Sequence, residues 1–412
     1  MSIRHRDHPV AGRLIVFLEG IRVLDLSRIL AGPLVGAVMA EMGADVIKVE
    51  RPGRGDDMRW LRGNTGLTAS FTSFNRGKRG IAVDMGKPEG RDIILALAKK
   101  SDVIIENFLP GATAKLGVDY QSVKAVKPDI VYASITGFGQ TGPYARRGGY
   151  NSVALGMSGF MALTGMPDHP PTRPGGSLAD VAAANTALGA INAALLRRER
   201  QGEGAYIDVN LLASALGLLP DPVANYYESG KPPKRLGNRS PSVTPGEVYE
   251  TSDGLVTIVL TSPAQWRKLC EELGDMEMFE DSRFKTNGDR LRNFDAFRAR
   301  MDAHIAEATT AEWVERLSRL AIAVGPVYEF PQVFEDPQVV HLELVKTVEQ
   351  PGLGEVKMLG LPFRSMPETG VKNSIAPRLG EHTHEVLRDL LGMDAQALDR
   401  LGATRTIEQY TR

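Results

Sequence analysis

Gly20-Ile-Arg-Val-Leu-Asp-Leu-Ser-Arg-Ile-Leu-Ala-Gly-Pro33, followed by Asp45-Val-Ile-Lys-Val-Glu50, decides the fold. The β-branched run at 21–26 predicts a first strand, and 45–50 predicts a second. Between them, Pro33 is well placed near the start of a helix, where its missing N–H costs nothing, and Gly43 is expected to end that helix. A strand, a helix and a strand in this order predict the first unit of a parallel sheet.

The same alternation continues through the first half of the chain. Further strands are predicted at 80–84, 102–106, 130–134 and 205–209, and helices at 88–100, 177–198 and 211–228. Strands that alternate with helices are typical of a Rossmann-like α/β domain built on a parallel sheet.

A change of composition predicts a second domain. The stretch Gly230-Lys-Pro-Pro-Lys-Arg-Leu-Gly-Asn-Arg-Ser-Pro241 is rich in Pro and charge and is interpreted as a linker. Beyond it, two strands are predicted at 247–250 and 255–260, and helices at 263–274, 293–308 and 311–320. The predicted organisation is an N-terminal extension at 1–18, a large α/β domain at 19–229, the linker and a smaller α+β domain at 230–325, and a return to the large domain at 326–412, with a helix at 381–391.

Composition excludes several classes of protein. The 412 residues have a formal charge of −1, with 42% hydrophobic and 24% charged residues, so a nucleic-acid partner is not expected. The single cysteine, Cys270, is interpreted as a core residue and allows no intrachain disulfide, which favours a reducing compartment. The polar N-terminus and the short apolar run at 14–18 predict neither a signal peptide nor a membrane segment. We therefore expect a cytoplasmic protein.

The turn after the first strand argues against a dinucleotide cofactor. It reads Ser27-Arg-Ile-Leu-Ala-Gly-Pro-Leu-Val-Gly36, with two glycines but no G-x-G-x-x-G pattern. The chain also lacks a phosphate-binding G-x-x-x-x-G-K-S/T motif and the zinc motif H-E-x-x-H. The closest histidine pair, His382 and His384, has no further ligands nearby, so no metal and no tightly bound cofactor are predicted. A dehydrogenase remains only a distant alternative.

Basic residues recur where predicted strands end. Arg51, Lys78 and Lys115 each flank such a junction, where ligands collect in open α/β sheets. Asn107 and Phe108 add an amide and an aromatic face at another junction. Each cation alone could be a solvated surface charge, but together they could hold a phosphorylated adenine nucleotide.

A third feature is the segment Gly175-Gly-Ser-Leu-Ala-Asp-Val-Ala-Ala-Ala-Asn-Thr-Ala-Leu-Gly189. Asp180 lies in the first turn of the predicted helix, where the backbone amides favour an anion by ~0.3–1 kcal/mol. An aspartate at such a position is often only structural. Here the neighbouring small residues, Ala179, Ala182, Ala183 and Gly189, leave room for a ligand. Asp180 is therefore the candidate nucleophile.

Eight stretches in chain order resemble one family: 20–33, 43–53, 75–79, 106–111, 134–139, 177–181, 237–239 and 376–383. They are similar to the class III CoA-transferases, a family that includes formyl-CoA transferase, carnitine CoA-transferases and α-methylacyl-CoA racemases. The likeness extends from about residue 19 to the C-terminus. It is specific for the family and much less specific for the substrate.

This resemblance implies a mechanism in which Asp180 attacks an acyl-CoA to form a mixed anhydride and then an aspartyl-CoA thioester, from which CoA passes to an acceptor acid. CoA and acyl-CoA would be substrates, and small carboxylic acids would be the partners. By position, the resemblance assigns CoA contacts to Leu30, Ala31, Arg51, Asn75, Lys78, Asn107, Phe108 and Lys115. It also implies an interlocked, ring-like homodimer.

Tyr150 distinguishes two branches of the family. The racemases have a catalytic histidine in this segment, whereas here it reads Arg146-Arg-Gly-Gly-Tyr-Asn151. Tyrosine ordinarily titrates near ~10 and is a poor base at neutral pH, which argues against a racemase. The resemblance implies that Tyr150, as in transferases of the family, hydrogen-bonds a carboxylate substrate. A 2-methylacyl-CoA racemase is the main alternative, and a CoA-binding protein without chemistry is another. Formyl-CoA transferase has a glutamine where this chain has Leu30, so formyl-CoA and oxalate are not the favoured pair.

Overall fold

A computed structural model describes residues 16–61, 66–365 and 375–411. These residues form two compact units. The larger unit contains the described residues up to Phe160, then Gly175–Asp221, and the described residues from Glu343 onward. The smaller unit contains Met161–Pro174 and Pro222–Leu342. Most of the predicted extension at 1–18 lies outside the described residues.

The described strands, in chain order, are β1 (Arg22–Asp25), β2 (Asp45–Glu50), β3 (Arg79–Val83), β4 (Val103–Glu106), β5 (Val131–Thr136), β6 (Ala205–Asn210), β7 (Gly246–Glu250), β8 (Leu255–Val259), β9 (Ala323–Pro326), β10 (Val345–Gln350), β11 (Gly354–Leu359) and β12 (Ile407–Glu408).

The described α-helices are α1 (Ala31–Glu41), α2 (Ala69–Asn75), α3 (Pro88–Ala98), α4 (Ala112–Leu116), α5 (Tyr120–Val126), α6 (Asn151–Met157), α7 (Phe160–Leu163), α8 (Leu178–Gln201), α9 (Leu211–Leu216), α10 (Pro220–Ser229), α11 (Pro263–Leu273), α12 (Met276–Glu280), α13 (Asn287–Arg292), α14 (Phe294–Ile305), α15 (Thr310–Arg319), α16 (Phe330–Glu335), α17 (Pro337–His341), α18 (Thr383–Leu391) and α19 (Ala395–Ala403). A short 3-10 helix covers Asp57–Arg59.

The larger unit is built on a sheet with the strand order β12-β3-β2-β1-β4-β5-β6. Strands β1 to β6 are parallel, and β12 joins β3 antiparallel. The order of the strands reverses at β1, which pairs with β2 on one side and with β4 on the other. In open α/β sheets, the crevice outside the carboxyl ends of the strands at such a reversal is the usual ligand site. The predicted parallel sheet of the larger unit is confirmed.

Helices pack on both faces of this sheet. One face buries α3, α5, α18 and α19 in a cluster that includes Leu24, Ile94, Tyr132, Val386 and Leu398. Among the other helices of the larger unit, α1 packs against α8, and α8 packs against β5 and β6. Because both faces are covered, β5 is buried along its whole length, as expected for an interior parallel strand.

The smaller unit contains an antiparallel sheet of β7, β8 and β9. Trp266, Phe297 and Trp313 dominate its core, and Cys270 is buried with them. Met161–Pro174 belongs to this unit, and within it the Gly237 N–H donates to the Gly165 carbonyl at 3.1 Å. The unit also extends to Leu342 rather than ending near the predicted boundary at 325.

The predicted helix at 211–228 is wrong in one respect, because the structure has two helices there. Gly217 ends α9, and Pro220 begins α10. The proline cannot donate the hydrogen bond that a continuous helix would need, so the chain starts a new helix at that residue. The sequence also did not predict the β10–β11 hairpin.

Among the described helices, only α8 is long and apolar enough to cross a membrane by length and composition. A core helix passes the same test. Ala183, Ala187 and Ile191 of α8 are fully buried, and the helix packs against α1, α6 and α9. Its apolar character thus matches its place in the larger unit.

Two buried lysines fix the turn between β1 and α1. Lys78 Nζ donates to Asp25 Oδ2 at 2.7 Å and to the carbonyl of Pro33 at 2.8 Å. Lys48 Nζ donates to the carbonyl of Ser27 at 2.6 Å and to Asp56 Oδ2 at 3.0 Å. All four charged side chains of these pairs have no exposed surface. The two ends of the turn are therefore each bonded to a buried ammonium group.

The charges of these pairs support one another. Burial alone would raise the pKa of Asp25, but Lys78 and Lys48 outweigh it and hold that pKa below its usual value. Burial lowers the pKa of Lys78 to about 8 against the opposing effect of Asp25. Lys78 is thus mainly protonated at pH 7, and the pair is ionic.

We predict that Lys78→Met lowers the free energy of unfolding by ~3–5 kcal/mol, because the Asp25 carboxylate is left buried without its main partner. Urea unfolding measures the loss. The matched control is Lys99→Met at the exposed end of α3, which should change stability by less than about 0.5 kcal/mol. Equal effects of the two substitutions would contradict the structural role of Lys78.

Candidate active site

Asp180 lies in the first turn of α8, and a residue of α6 anchors that turn. The Ala179 N–H donates to Asn151 Oδ1 at 2.9 Å, and Asn151 Nδ2 contacts the carbonyl of Gly176 at 3.5 Å. The position before the helix, Ser177, provides no side-chain cap of its own. Asn151 therefore fixes the backbone on both sides of Ser177 and, with it, the position of Asp180.

The carboxyl group of Asp180 is partly buried and lacks a compensating charge. Burial raises its pKa to about 6, and burial is the one cause of this shift among the described residues. No group of three or more His, Cys, Asp or Glu side chains in the described ranges could hold a metal ion. Asp180 is thus an anion at neutral pH that no cation among the described residues stabilises. Such a carboxylate is more basic than an ordinary aspartate and is suited to attack a carbonyl carbon.

Tyr150 comes directly before α6 and is 70% exposed. Its neighbour in the chain, Asn151, is the residue that anchors the first turn of α8. The structure therefore ties the segment containing Tyr150 to the segment containing Asp180. Sequence reasoning missed Asn151, although its position at the start of a helix with a Gly-Gly segment before it was a usable signal.

A second group of predicted residues lies at the reversal of strand order. Asn107, after β4, accepts from the Arg28 N–H at 2.7 Å and donates to the Arg28 carbonyl at 2.6 Å. The Arg28 guanidinium lies 5.4 Å from the centre of the Phe108 ring. Arg28 was not predicted as a site residue. It adds a cation and a stacking surface to the crevice between the ends of β1 and β4.

The loop after β4 is held from inside the unit. Glu106 accepts from the Phe108 N–H at 2.8 Å and from the Ser134 hydroxyl, and it is 2% exposed. Burial raises the pKa of Glu106 to about 7, with Asp208 adding to the effect. Glu106 orients the loop and is too deeply buried to contact a ligand directly.

The other predicted CoA contacts differ in how exposed their side chains are. Arg51, after β2, is accessible, and its guanidinium lies 3.8 Å from Asp57. Lys115 is exposed in the last turn of α4. Leu30 is partly buried and Ala31 is 5% exposed at the start of α1. Arg51, Leu30 and Ala31 follow β2 and β1, so they share the sheet edge with Asn107 and Phe108.

Asn75 and Lys78 require a correction. Asn75 has no exposed surface, and its Oδ1 accepts from Lys78 Nζ at 2.9 Å. All the bonds of the Lys78 ammonium are to protein groups inside the unit. In this structure, neither side chain can contact a CoA phosphate. The sequence pattern identified the motif but not the direction in which its lysine points.

A groove of about 850 Å³ lies beside Arg51 in the larger unit. Its charged lining residues are Arg51, Lys87, Arg405, Asp84, Asp399 and Glu408. The mixture of both signs does not favour an anionic ligand. Asp180 does not line this groove, so the groove is not part of the candidate nucleophile's surroundings.

Comparison with known proteins gives consistent matches. The model of CoA-transferase family III matches residues 18–383. Succinyl-CoA:glutarate CoA-transferase of Mus musculus is 39% identical over 396 residues, which cover 95% of this chain and 91% of the mouse protein. Succinate–glutarate CoA-transferase of Agrobacterium fabrum is 39% identical and covers 90% and 95% of the two chains. The crystal structure of a CAIB/BAIF family protein from Brucella suis has a TM-score of 0.81 and 38% identity, over 90% of this chain and 99% of that one.

We predict that Asp180→Asn stabilises the protein at pH 8 by up to about 3 kcal/mol, because the wild-type protein buries a charge there that the variant lacks. The folded pKa of Asp180 is raised, so this gain should shrink as the pH falls through 6 toward 4 and the carboxyl group becomes neutral. Urea unfolding at several pH values measures it. Glu199→Gln, on an exposed position of the same helix, is the control and should show no such pH-dependent gain. A destabilised Asp180→Asn variant at pH 8 would contradict the strained state of this carboxylate.

Proposed function

This chain belongs to CoA-transferase family III, and we propose that it transfers coenzyme A from succinyl-CoA to a second dicarboxylic acid such as glutarate, with Asp180 as the nucleophile. The choice of acids follows the names of two relatives that are each 39% identical to it. Transfer of CoA between an acyl-CoA and a carboxylic acid is the activity of the family. The particular donor, acceptor and covalent route are the proposal.

Asp180 opens the reaction by attacking the thioester carbonyl carbon of the donor. The C–S bond breaks, CoA leaves as a thiolate, and a mixed anhydride joins Asp180 to the donor acid. The thiolate then attacks the Asp180 carbonyl carbon, the donor acid leaves as a carboxylate, and an aspartyl-CoA thioester remains. The acceptor carboxylate repeats the same two steps in reverse. No proton is consumed overall, and each step exchanges one activated acyl bond for another.

The state of Asp180 is the observation that supports this route most directly. A nucleophilic carboxylate must be ionised but weakly stabilised, so that attack relieves the cost of its charge. Asp180 combines partial burial with a pKa of about 6 and no neighbouring cation among the described residues. An aspartate with a purely structural role would be expected to have a hydrogen-bond donor or a cation beside it.

The crevice at the end of β1 supports CoA binding by the larger unit. Arg28 and Arg51 provide cations for phosphate groups, and Phe108 provides an aromatic face. Leu30 and Ala31 lie where α1 begins, and α1 packs against α8. Lys115 is an accessible cation on a short neighbouring helix.

The racemase alternative has no comparable support. The mouse and Agrobacterium fabrum relatives are both named as CoA-transferases. Tyr150 stands where the racemases have their histidine, and it is open to solvent. We assign it to the carboxylate end of a substrate, where its hydroxyl can donate a hydrogen bond.

We also propose a homodimer. Val181 and Leu196 of α8 are 39% and 50% exposed, and Leu216 of α9 is 45% exposed. Apolar side chains of this size on adjacent helices are expected at a subunit interface. A second copy that covers α8 near Asp180 would also limit access of water to the reactive intermediates.

A screen of donor thioesters against acceptor acids tests the function. We expect transfer from succinyl-CoA to glutarate, detected by mass spectrometry as formation of glutaryl-CoA. Asp180→Asn should reduce it by at least ~10⁴-fold, because a neutral amide cannot replace the attacking carboxylate. Glu199→Gln is the control and should keep wild-type activity. Transfer by Asp180→Asn at more than a few per cent of the wild-type rate would refute the covalent role.

The pH dependence of the reaction provides a second test. The attacking group must be ionised, so kcat/KM should fall about tenfold per pH unit below an apparent pKa near 6. The pH dependence of CoA binding, measured separately by calorimetry, corrects for the titration of the substrate. A corrected profile that stays flat down to pH 4.5 would show that the titrating carboxylate is not the nucleophile.

A further inference from the structure

The turn between β1 and α1 contains a backbone conformation that its own residue disfavours. Ile29 has a φ of +70°, in the left-handed region, where a β-branched side chain is a genuine outlier. Ile29 is 36% exposed, so its side chain is not enclosed in the core. Strain of this kind persists only where surrounding groups hold it.

Asp56 is the group that holds Ile29. Its two carboxylate oxygens lie 3.1 and 3.2 Å from the Ile29 nitrogen and accept its N–H. Lys48 bonds the same carboxylate at 3.0 Å and the carbonyl of Ser27 at 2.6 Å. Asp56 is 1% exposed and Lys48 is not exposed at all. The pair therefore forms hydrogen bonds to the backbone on both sides of Arg28 from within the unit.

Asp56 is itself fixed by a second buried pair. Its own N–H donates to Glu50 Oε1 at 2.8 Å. Glu50 is bonded through both oxygens to the guanidinium of Arg59, at 2.8 and 2.6 Å. The position of Asp56 is therefore fixed independently of Ile29, and its hydrogen bond restrains the Ile29 backbone.

We propose that Asp56, together with Lys48, is a positioning residue that holds the strained Ile29 turn, and with it the start of α1 at Leu30 and Ala31, at the edge of the proposed acyl-CoA site. The inference rests on the proposed function, because it takes those two residues to contact CoA. Neither charged group touches substrate, since both are buried. An isoleucine at this position makes the turn depend on its support, whereas a glycine would adopt the same φ without help.

A double-mutant cycle tests the dependence. Asp56→Asn keeps the shape of the side chain but removes its charge and one acceptor, and we expect it to lower kcat/KM for the acyl-CoA at least about tenfold. Ile29→Gly removes the strain. In the Ile29→Gly background, the same Asp56→Asn change should cost less than about threefold, because the turn no longer needs its support. A purely structural role of Asp56 predicts the same loss in both backgrounds, and that result would overturn the proposal.

Hydrogen exchange provides a readout that does not depend on acyl transfer. Amides of the 27–32 segment, followed by mass spectrometry, should exchange faster in Asp56→Asn and recover in the double variant. If the wild-type protein transfers no CoA but this pattern appears, the function is wrong and the support of the turn stands. If the wild-type protein transfers CoA but the exchange pattern does not appear, the proposed function stands and the support of the turn by Asp56 is wrong. If Asp56→Asn does not fold, the double substitution Lys48→Met/Asp56→Leu is used in its place, with and without Ile29→Gly. It removes both buried charges and keeps a similar side-chain volume.

Discussion

Burial of two lysine–carboxylate pairs beneath a single turn is the constraint on which the larger unit depends. Asp25–Lys78 and Lys48–Asp56 are cut off from solvent, so each charge is stable only while its partner stays in place. Their bonds to the carbonyls of Ser27 and Pro33 fix the path of the chain from β1 into α1. A dinucleotide-binding fold forms this turn from glycines that approach a pyrophosphate. Here Lys48 of β2 and Lys78, the residue before β3, hold the turn through their bonds to its carbonyls.

The pairing of charges distinguishes the buried carboxylates under the turn from Asp180. Asp25 and Asp56 under the turn each have a lysine partner, whereas Asp180 has no cation beside it among the described residues, and burial raises its pKa to about 6. Glu106 also has a raised pKa, but it is 2% exposed and accepts hydrogen bonds from Phe108 and Ser134. A raised pKa combined with only partial burial distinguishes Asp180 as the carboxylate available for reaction. Asn151 fixes only the backbone around Asp180, through the Ala179 N–H.

The sequence predicted the sheet well because parallel strands buried on both faces are short, apolar and bounded by turns. The predicted strand at 45–50 coincides with β2, and that at 205–209 nearly coincides with β6. Prediction from the sequence failed where long-range contacts decide the direction in which a side chain points. Lys78 was assigned to a phosphate because a cation at a strand junction has the same pattern whether it points outward or inward, and only its distance to Asp25 distinguishes the two. Arg28 and Asn151 were missed because each acts on a segment distant in the chain.

The aspartyl-CoA thioester can be observed directly. Protein mixed rapidly with succinyl-CoA in the absence of an acceptor, quenched in acid and digested, yields a peptide spanning Asp180 for mass spectrometry. We expect that peptide to gain the mass of CoA less one water, and to become a hydroxamate when hydroxylamine is added before the quench. An active protein whose Asp180 peptide stays unmodified, or whose adduct lies on another residue, would contradict the central role of this carboxylate.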